Sequence, residues 1–450
     1  MKISRVWAFG LLPGLVLTVL GNAGAATLDV PHTLHHVKTG APHLTEANRH
    51  HAAAPAGKPV TNHATARHAA TKVAPVAQQA RLTPRGSARA ELRRASLTTR
   101  HHFYERFTAS SFANGDIFAG DVTAGEDPVV RQAAIDALDG MNGTALVIDP
   151  SNGRILAMVN QKLALSPGAE PCSTIKITVA MAALSEGLVT RDTMVQLPGF
   201  RMNMTQALAK SNNLYFEELG RELGFDRVRH YANQFGLGEL AGYNIPGEQL
   251  GVYPDQELPA SEGGVGRMCS FGQGVSLTPL QLGAYVASLA NGGTLYYLQH
   301  PATQEEALAL QPKVKRTLDI AKYVPEMQDG MAGAVEYGTA RRLSATFHDF
   351  PVFGKTGTCS NNGTRFGWFA SFADSPQGGL VTVFFLEGGR PTFGPRAAEL
   401  TGAFYKNLSD RNYFANKGQQ EAKGMTPLAA AQPADLQLPA QLPGSQQLPR

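Results

Sequence analysis

Cysteine, tryptophan and charge are scarce in this 450-residue chain, with three Cys, two Trp and 17% Asp, Glu, Lys and Arg. Soluble domains usually carry about 25% charged residues. The deficit therefore points to alanine- and glycine-rich or low-complexity segments. Formal net charge is +4, too small to argue for nucleic-acid binding over the whole chain. Cys172, Cys269 and Cys359 share no metal-binding spacing, so neither a metal centre nor a cofactor is expected. In an oxidising compartment one pair could bridge and leave one cysteine over. Long apolar runs are missing too. Val6 to Leu20 has 15 residues, interrupted by Gly10, Pro13 and Gly14; a spanning helix needs about 20.

That run has a clear setting. Lys2 and Arg5 form a basic start, and Ala23-Gly24-Ala25 is a small-x-small site. Residues 1–26 read as a secretory signal peptide cut after Ala25 or Ala26, with an uncleaved inner-membrane anchor as the alternative. Either way the rest is expected to be periplasmic or extracytoplasmic. Residues 27–102 hold ten of the 13 histidines, and Thr27 to Arg100 has 11 Lys/Arg against three Asp/Glu. With few large apolar side chains and no period, the segment reads as a disordered basic linker. A solvated tether is the simpler reading. Contact with anionic wall polymer, or metal binding by His pairs, is the other.

Globular texture runs over 103–408. Asp127-Pro128 is an N-cap followed by proline at the first helical position. Thr144 to Ile148 and Arg154 to Val159 read as a hairpin around Asp149-Pro150-Ser151-Asn152-Gly153. An apolar helix is expected over Thr174 to Leu184, then a mixed, mostly helical stretch to about Asn291. Three strands follow, at Val352 to Thr358, Gly367 to Phe372 and Val381 to Leu386, then a helix over Ala397 to Leu408. Strands at both chain ends with helices between imply an α+β domain, an antiparallel sheet with flanking helices and an all-helical subdomain. Residues 409–450 read as a disordered tail.

Three short motifs carry chemistry. In Ser173-Thr174-Ile175-Lys176, positions i and i+3 share a helix face, so an amine sits beside a hydroxyl at a helix start. Ser211-Asn212-Asn213 supplies a hydroxyl that can relay a proton and an amide that can orient a peptide. Lys355-Thr356-Gly357-Thr358 lies on an expected strand; its lysine can meet a substrate carboxylate, and its glycine allows close backbone approach. Decoys exist: Lys38-Thr39-Gly40 lies in the linker, and Ser360-Asn361-Asn362 follows the third motif.

The ordered set, Ser-x-x-Lys, then Ser-x-Asn 38 residues on, then Lys-Thr-Gly 144 residues further, resembles the serine penicillin-recognising enzymes. Ser270-Phe271-Gly272-Gln273-Gly274, Thr278-Pro279-Leu280-Gln281, Ala290-Asn291-Gly292-Gly293, Gly330-Met331 and Gly338-Thr339-Ala340 extend the likeness to penicillin-binding transpeptidase domains over about residues 125–408. The resemblance implies that Ser173 is the acylated nucleophile and Lys176 its base, with Ser211 and Lys355 relaying a proton to the leaving amine. Asn213 would bind the substrate amide, and Thr356, Gly357 and Thr358 would line the carboxylate site. The N–H groups of Ser173 and Thr358 would form an oxyanion hole.

The implied function is a peptidoglycan D,D-transpeptidase that takes stem peptides ending in D-alanyl-D-alanine and binds β-lactams covalently. A D,D-carboxypeptidase, a β-lactamase or a β-lactam sensor shares the acylation chemistry, and a non-enzymatic wall-binding module is a further reading. No Glu-x-x-x-Asn loop of the class A β-lactamases lies between Asn213 and Lys355, and Asn213 stands where class D enzymes usually carry valine. Both departures favour the transpeptidase. Monofunctional transpeptidases usually place a pedestal domain before the catalytic domain, where this sequence reads as the linker and a short globular lead-in from Phe103; a membrane-embedded synthesis partner is therefore left open. Some carbapenem-hydrolysing class A enzymes are bridged at places corresponding to Cys172 and Cys359. If Ser173 and Thr358 share one oxyanion hole, that bridge is expected here with Cys269 free, against three separate buried cysteines.

Overall fold

The computed structural model describes residues 107–375 and 378–422. The signal-peptide and linker expectations, and the tail beyond 422, lie outside them. No helix among the described residues is long and apolar enough to cross a membrane.

The capping signal at Asp127 does what local chemistry asks of it. The Asp127 carboxylate accepts from the N–H groups of Val129 and Val130 at 2.9 and 3.1 Å, and Pro128 opens helix α1 (Pro128–Leu138). The hairpin follows as β1 (Gly143–Ile148) and β2 (Ile155–Val159). A 3₁₀ turn, Cys172–Ile175, leads into α2 (Lys176–Ser185). Two short helices, α3 (Met204–Lys210) and α4 (Asn213–Leu223), are followed by α5 (Gly264–Phe271) and α6 (Pro279–Ala290). The capping box of Thr278 and Gln281 starts α6. The expected helical stretch also holds a small hairpin, β3 (Val195–Leu197) with β4 (Phe200–Met202). Another pairs β5 (Thr294–Tyr297) with β6 (Lys313–Thr317).

After α7 (Val324–Glu336) come the three long strands, β7 (Val352–Asn361), β8 (Thr364–Ser375) and β9 (Gly378–Gly388). They run further than the apolar runs alone suggested, because cross-strand pairing carries them through polar residues such as Ser360 and Arg365. The chain closes with α8 (Gly394–Asp410) and α9 (Tyr413–Ala422). The tail boundary at 409 is corrected here: it falls inside α8, and Phe414 on α9 is buried against Phe350, with ring centroids 4.9 Å apart. Two adjacent aromatics, Tyr413 and Phe414, at the start of a polar stretch fix that helix, a signal too small to register in composition.

The sheet is antiparallel throughout, in the order β2-β1-β9-β8-β7. Its faces obey the two-residue period of strands. Leu146 and Ile148, Trp368 and Ala370, and Val381, Val383 and Phe385 face one core with α2 and α6. Ala145 and Val147, Phe369 and Ala373, and Leu380, Phe384 and Leu386 face the other, with α1 and α8. Burial on both faces explains why β1 is buried at every position instead of alternating, its one polar side chain, Thr144, donating to the Val159 carbonyl at 2.7 Å. Edge strand β7 is left beside the 3₁₀ turn of Ser173.

Candidate active site

Pro171 sets the first turn with φ −71°, and its carbonyl accepts both from the N–H of Thr174 at 3.1 Å and from its hydroxyl at 2.7 Å. The turn leaves Ser173 half-buried at the mouth of α2 and Lys176 wholly buried one turn on. Lys176 Nζ lies 2.9 Å from Ser173 Oγ.

The second motif is a joint between helices. Helix α3 ends at Lys210, Ser211 turns left-handed at φ 54°, and Asn212 caps α4 by accepting from the N–H of Tyr215. The joint carries Ser211 and Asn213 to Lys176. Its Nζ is 2.6 Å from Asn213 Oδ1, 3.0 Å from the Ser211 carbonyl and 3.2 Å from Ser211 Oγ. From β7, the fully buried Lys355 donates to the same Ser211 Oγ at 2.7 Å. A chain of contacts thus runs Ser173, Lys176, Ser211, Lys355.

Counting hydrogens shows what this arrangement allows. Asn213 Oδ1 and the Ser211 carbonyl can only accept, so they need two N–H groups from Lys176. An ammonium would give its third N–H to the Ser173 hydroxyl; a neutral amine has those two and a lone pair left over, which can accept from it. Electrostatics favours the neutral form. Burial pushes the Lys176 amine down from 10.5 to about 7, against a smaller upward pull from Glu217. Burial, and then the nearby Lys176 charge, hold Lys355 well below its ordinary value. Two ammonium groups around one hydroxyl repel each other, so the pair does not carry two full charges at neutral pH.

Strand β7 comes against the nucleophile's turn at Gly357. A Cβ there would sit 2.8 Å from the Pro171 carbonyl oxygen and 3.2 Å from Thr174 Cγ2, so only glycine admits this approach. Cys172 and Cys359 are joined by a disulfide, with Cα atoms 5.5 Å apart, and Cys269 is free and buried. Thr356 Oγ1 donates to Thr339 Oγ1 at 2.6 Å. Thr358 Oγ1 accepts from the Gly394 N–H at 2.8 Å, at the start of α8.

Ser173, Lys176, Ser211, Asn213 and Lys355 therefore form one connected cluster, Cys172, Cys359 and Gly357 adjoin the nucleophile's turn, and Thr356 and Thr358 lie beside them on β7. Two supporting residues were missed. Thr339, in the Gly338-Thr339-Ala340 run, fixes the Thr356 hydroxyl. Trp368 donates from Nε1 to the Glu170 carbonyl at 3.0 Å and so clamps the chain three residues before Ser173. A lone tryptophan on an apolar strand reads as core from sequence; only the pairing of Trp368 opposite Gly357 gives it this role.

The family described as penicillin binding protein transpeptidase domain matches residues 143–406, more than half of the chain. The chain belongs to the penicillin-binding protein transpeptidase family. Stage V sporulation protein D of Bacillus subtilis is 27% identical over 63% of this chain and 51% of its own length. The peptidoglycan D,D-transpeptidase MrdA of Acinetobacter baumannii is 25% identical over 60% of this chain and 51% of its own length. The chain thus spans about half the length of these curated relatives. Pseudomonas aeruginosa PBP2, solved in complex with WCK 5153, shares the fold with a TM-score of 0.53 at 24% identity, over 64% of this chain and 74% of that one. A transpeptidase domain of Burkholderia pseudomallei penicillin-binding protein 3 superposes with a TM-score of 0.55 at 20% identity, over 64% and 96%. The α+β reading with its antiparallel sheet agrees with both neighbours.

Proposed function

We propose that this chain is an extracytoplasmic serine D,D-transpeptidase that is acylated at Ser173 by D-alanyl-D-alanine stem peptides and, by the same step, by β-lactams. The observation that carries the reading is the contact of Ser173 Oγ with a buried, depressed lysine at 2.9 Å. Family membership and relatives named as peptidoglycan D,D-transpeptidases support it.

The chemistry follows from the groups present. Neutral Lys176 takes the Ser173 proton as Oγ attacks the carbonyl of the penultimate D-alanine. The carbonyl oxygen becomes an oxyanion held by the N–H groups of Ser173 and Thr358, whose backbones are tied close by the adjacent bridge. The peptide bond then breaks. Its nitrogen receives a proton through Ser211, whose hydroxyl is resupplied from the Lys176 and Lys355 side. Lys355 and Thr356 hold the terminal carboxylate, Thr358 lines the same edge, and Asn213 orients the peptide amide. D-alanine leaves and an acyl-enzyme remains. An acceptor amine attacks the ester, gives up its proton and regenerates Ser173.

Partition of the acyl group tests this reading. A donor peptide ending in D-alanyl-D-alanine is expected to yield mainly amide when an amine acceptor is supplied, and a fluorescent penicillin label is expected to persist for hours. Mainly hydrolysed donor would indicate a carboxypeptidase. Rapid loss of label with penicilloic acid release would indicate a β-lactamase.

A further inference from the structure

We propose that the Cys172–Cys359 disulfide is a positioning device for the nucleophile: it holds the residue before Ser173 in a left-handed conformation, and acylation depends on the bridge being intact. The inference rests on the acylation reading given above.

Cys172 has φ 52°. A side-chain-bearing residue resists this conformation because its Cβ crowds the following carbonyl oxygen. Glycine adopts it freely, and Asn or Asp tolerates it through short polar side chains that bond locally. The other described non-glycine residues with positive φ are Asp, Asn or Ser. Cys172 alone among them has no side-chain oxygen. Instead it has a covalent bond to β7, and it is 1% exposed.

The surroundings make the orientation of this turn matter. A Cβ on Gly272 would meet Pro171 Cγ at 2.6 Å and the Cys172 nitrogen at 3.2 Å. Gly357 presses on the Pro171 carbonyl from the other side, and Trp368 holds the Glu170 carbonyl. The chain entering Cys172 is thus fixed, and the Cys172–Ser173 peptide is the part with freedom to turn. If Cys172 relaxed to negative φ, that peptide would rotate. The Ser173 N–H and Oγ would then leave their alignment with Thr358 and Lys176. The bridge opposes this by tying the Cys172 side chain to a residue one place beyond Thr358.

A dithiol can undo the arrangement. It supplies two electrons and two protons, the sulfur–sulfur bond breaks, a thiol forms on each of Cys172 and Cys359, and the reductant closes to its own disulfide.

Rate constants for acylation by a fluorescent penicillin test the proposal on four samples of the full chain. These are the oxidised protein, the dithiol-reduced protein desalted without oxygen, C172A/C359A and C172G/C359A. Both double variants lose the same cross-link, so a merely structural role would slow them equally. The proposal expects the reduced protein and the alanine double to fall at least about tenfold, while the glycine double stays within about threefold of the oxidised protein. Near-UV circular dichroism confirms folding in each sample; if the alanine double does not fold, the reduced protein takes its place. A reduced protein as fast as the oxidised one overturns the proposal. So does a glycine double as slow as the reduced protein. An oxidised chain that takes no label contradicts the acylation reading itself, and this inference with it.

Discussion

Ser173→Ala is expected to form no covalent penicillin adduct at all while keeping its fold. The loss is complete because no other hydroxyl can take the place of Ser173 Oγ. Ser211 Oγ, the nearest alternative, is held by Lys355 at 2.7 Å and Lys176 at 3.2 Å, and it lies in the joint between α3 and α4 instead of the nucleophile's turn. The fold survives because Ser173 Oγ has a single side-chain partner, Lys176 Nζ, which keeps its three other contacts. A change of about 1 kcal/mol or less in stability is expected. Gel fluorescence after penicillin exposure, with a thermal melt on the same sample, checks both halves. Stoichiometric labelling of the folded variant would remove Ser173 from the mechanism.

Lys176→Met should slow acylation about 10²–10⁴-fold, the usual worth of a positioned general base. Methionine is a close match in volume and fills a site that is wholly enclosed. The pH dependence gives an independent reading. Because burial holds the Lys176 amine at about 7, the rate of the native chain should rise as pH passes through that value and the amine loses its proton. Glu217 pulls the limb upward, and Lys355, itself held well below its ordinary value by burial, is the other amine facing the site.

Stability carries the same signature. The folded value lies below the 10.5 of an exposed lysine, so between about 7 and 10.5 the unfolded chain binds the extra proton. Stability from this group therefore rises with pH across that window and is level below it, where both states carry the proton. The methionine variant should lose both the kinetic limb and this contribution to the slope. A variant acylating within about threefold of the native rate would mean that another group takes the Ser173 proton.

How much of this was legible in the sequence depended on range. Asp127-Pro128 and the β1–β2 turn were readable because capping and turn chemistry act within a few residues. The closing strands were readable because both sheet faces are buried, which leaves mostly apolar runs, interrupted at Ser371 in β8 and Thr382 in β9, whose hydroxyls pair with each other. The meeting of Ser173, Ser211 and Lys355 was not readable from periodicity, since no local rule links positions 38 and 144 residues apart. Only the order of three motifs, set against a known family, pointed to it. The left-handed turn at Cys172 escaped entirely. Cysteine gives no sign of positive φ, and the cause is a bond to a residue 187 positions away. Thr339 stood in a run already noticed, but its partner Thr356 is brought to it by the fold, through packing of α7 beside β7.

The central claim is that one hydroxyl, on Ser173, becomes acylated. Peptide mapping by mass spectrometry, after exposure of the full chain to penicillin and digestion, tests it most directly. The account predicts one penicilloyl group per chain, on the peptide containing Ser173, and none on the peptides containing Ser211 or Ser360. An adduct on either of those serines, or an unmodified Ser173 peptide from fully labelled protein, would contradict it.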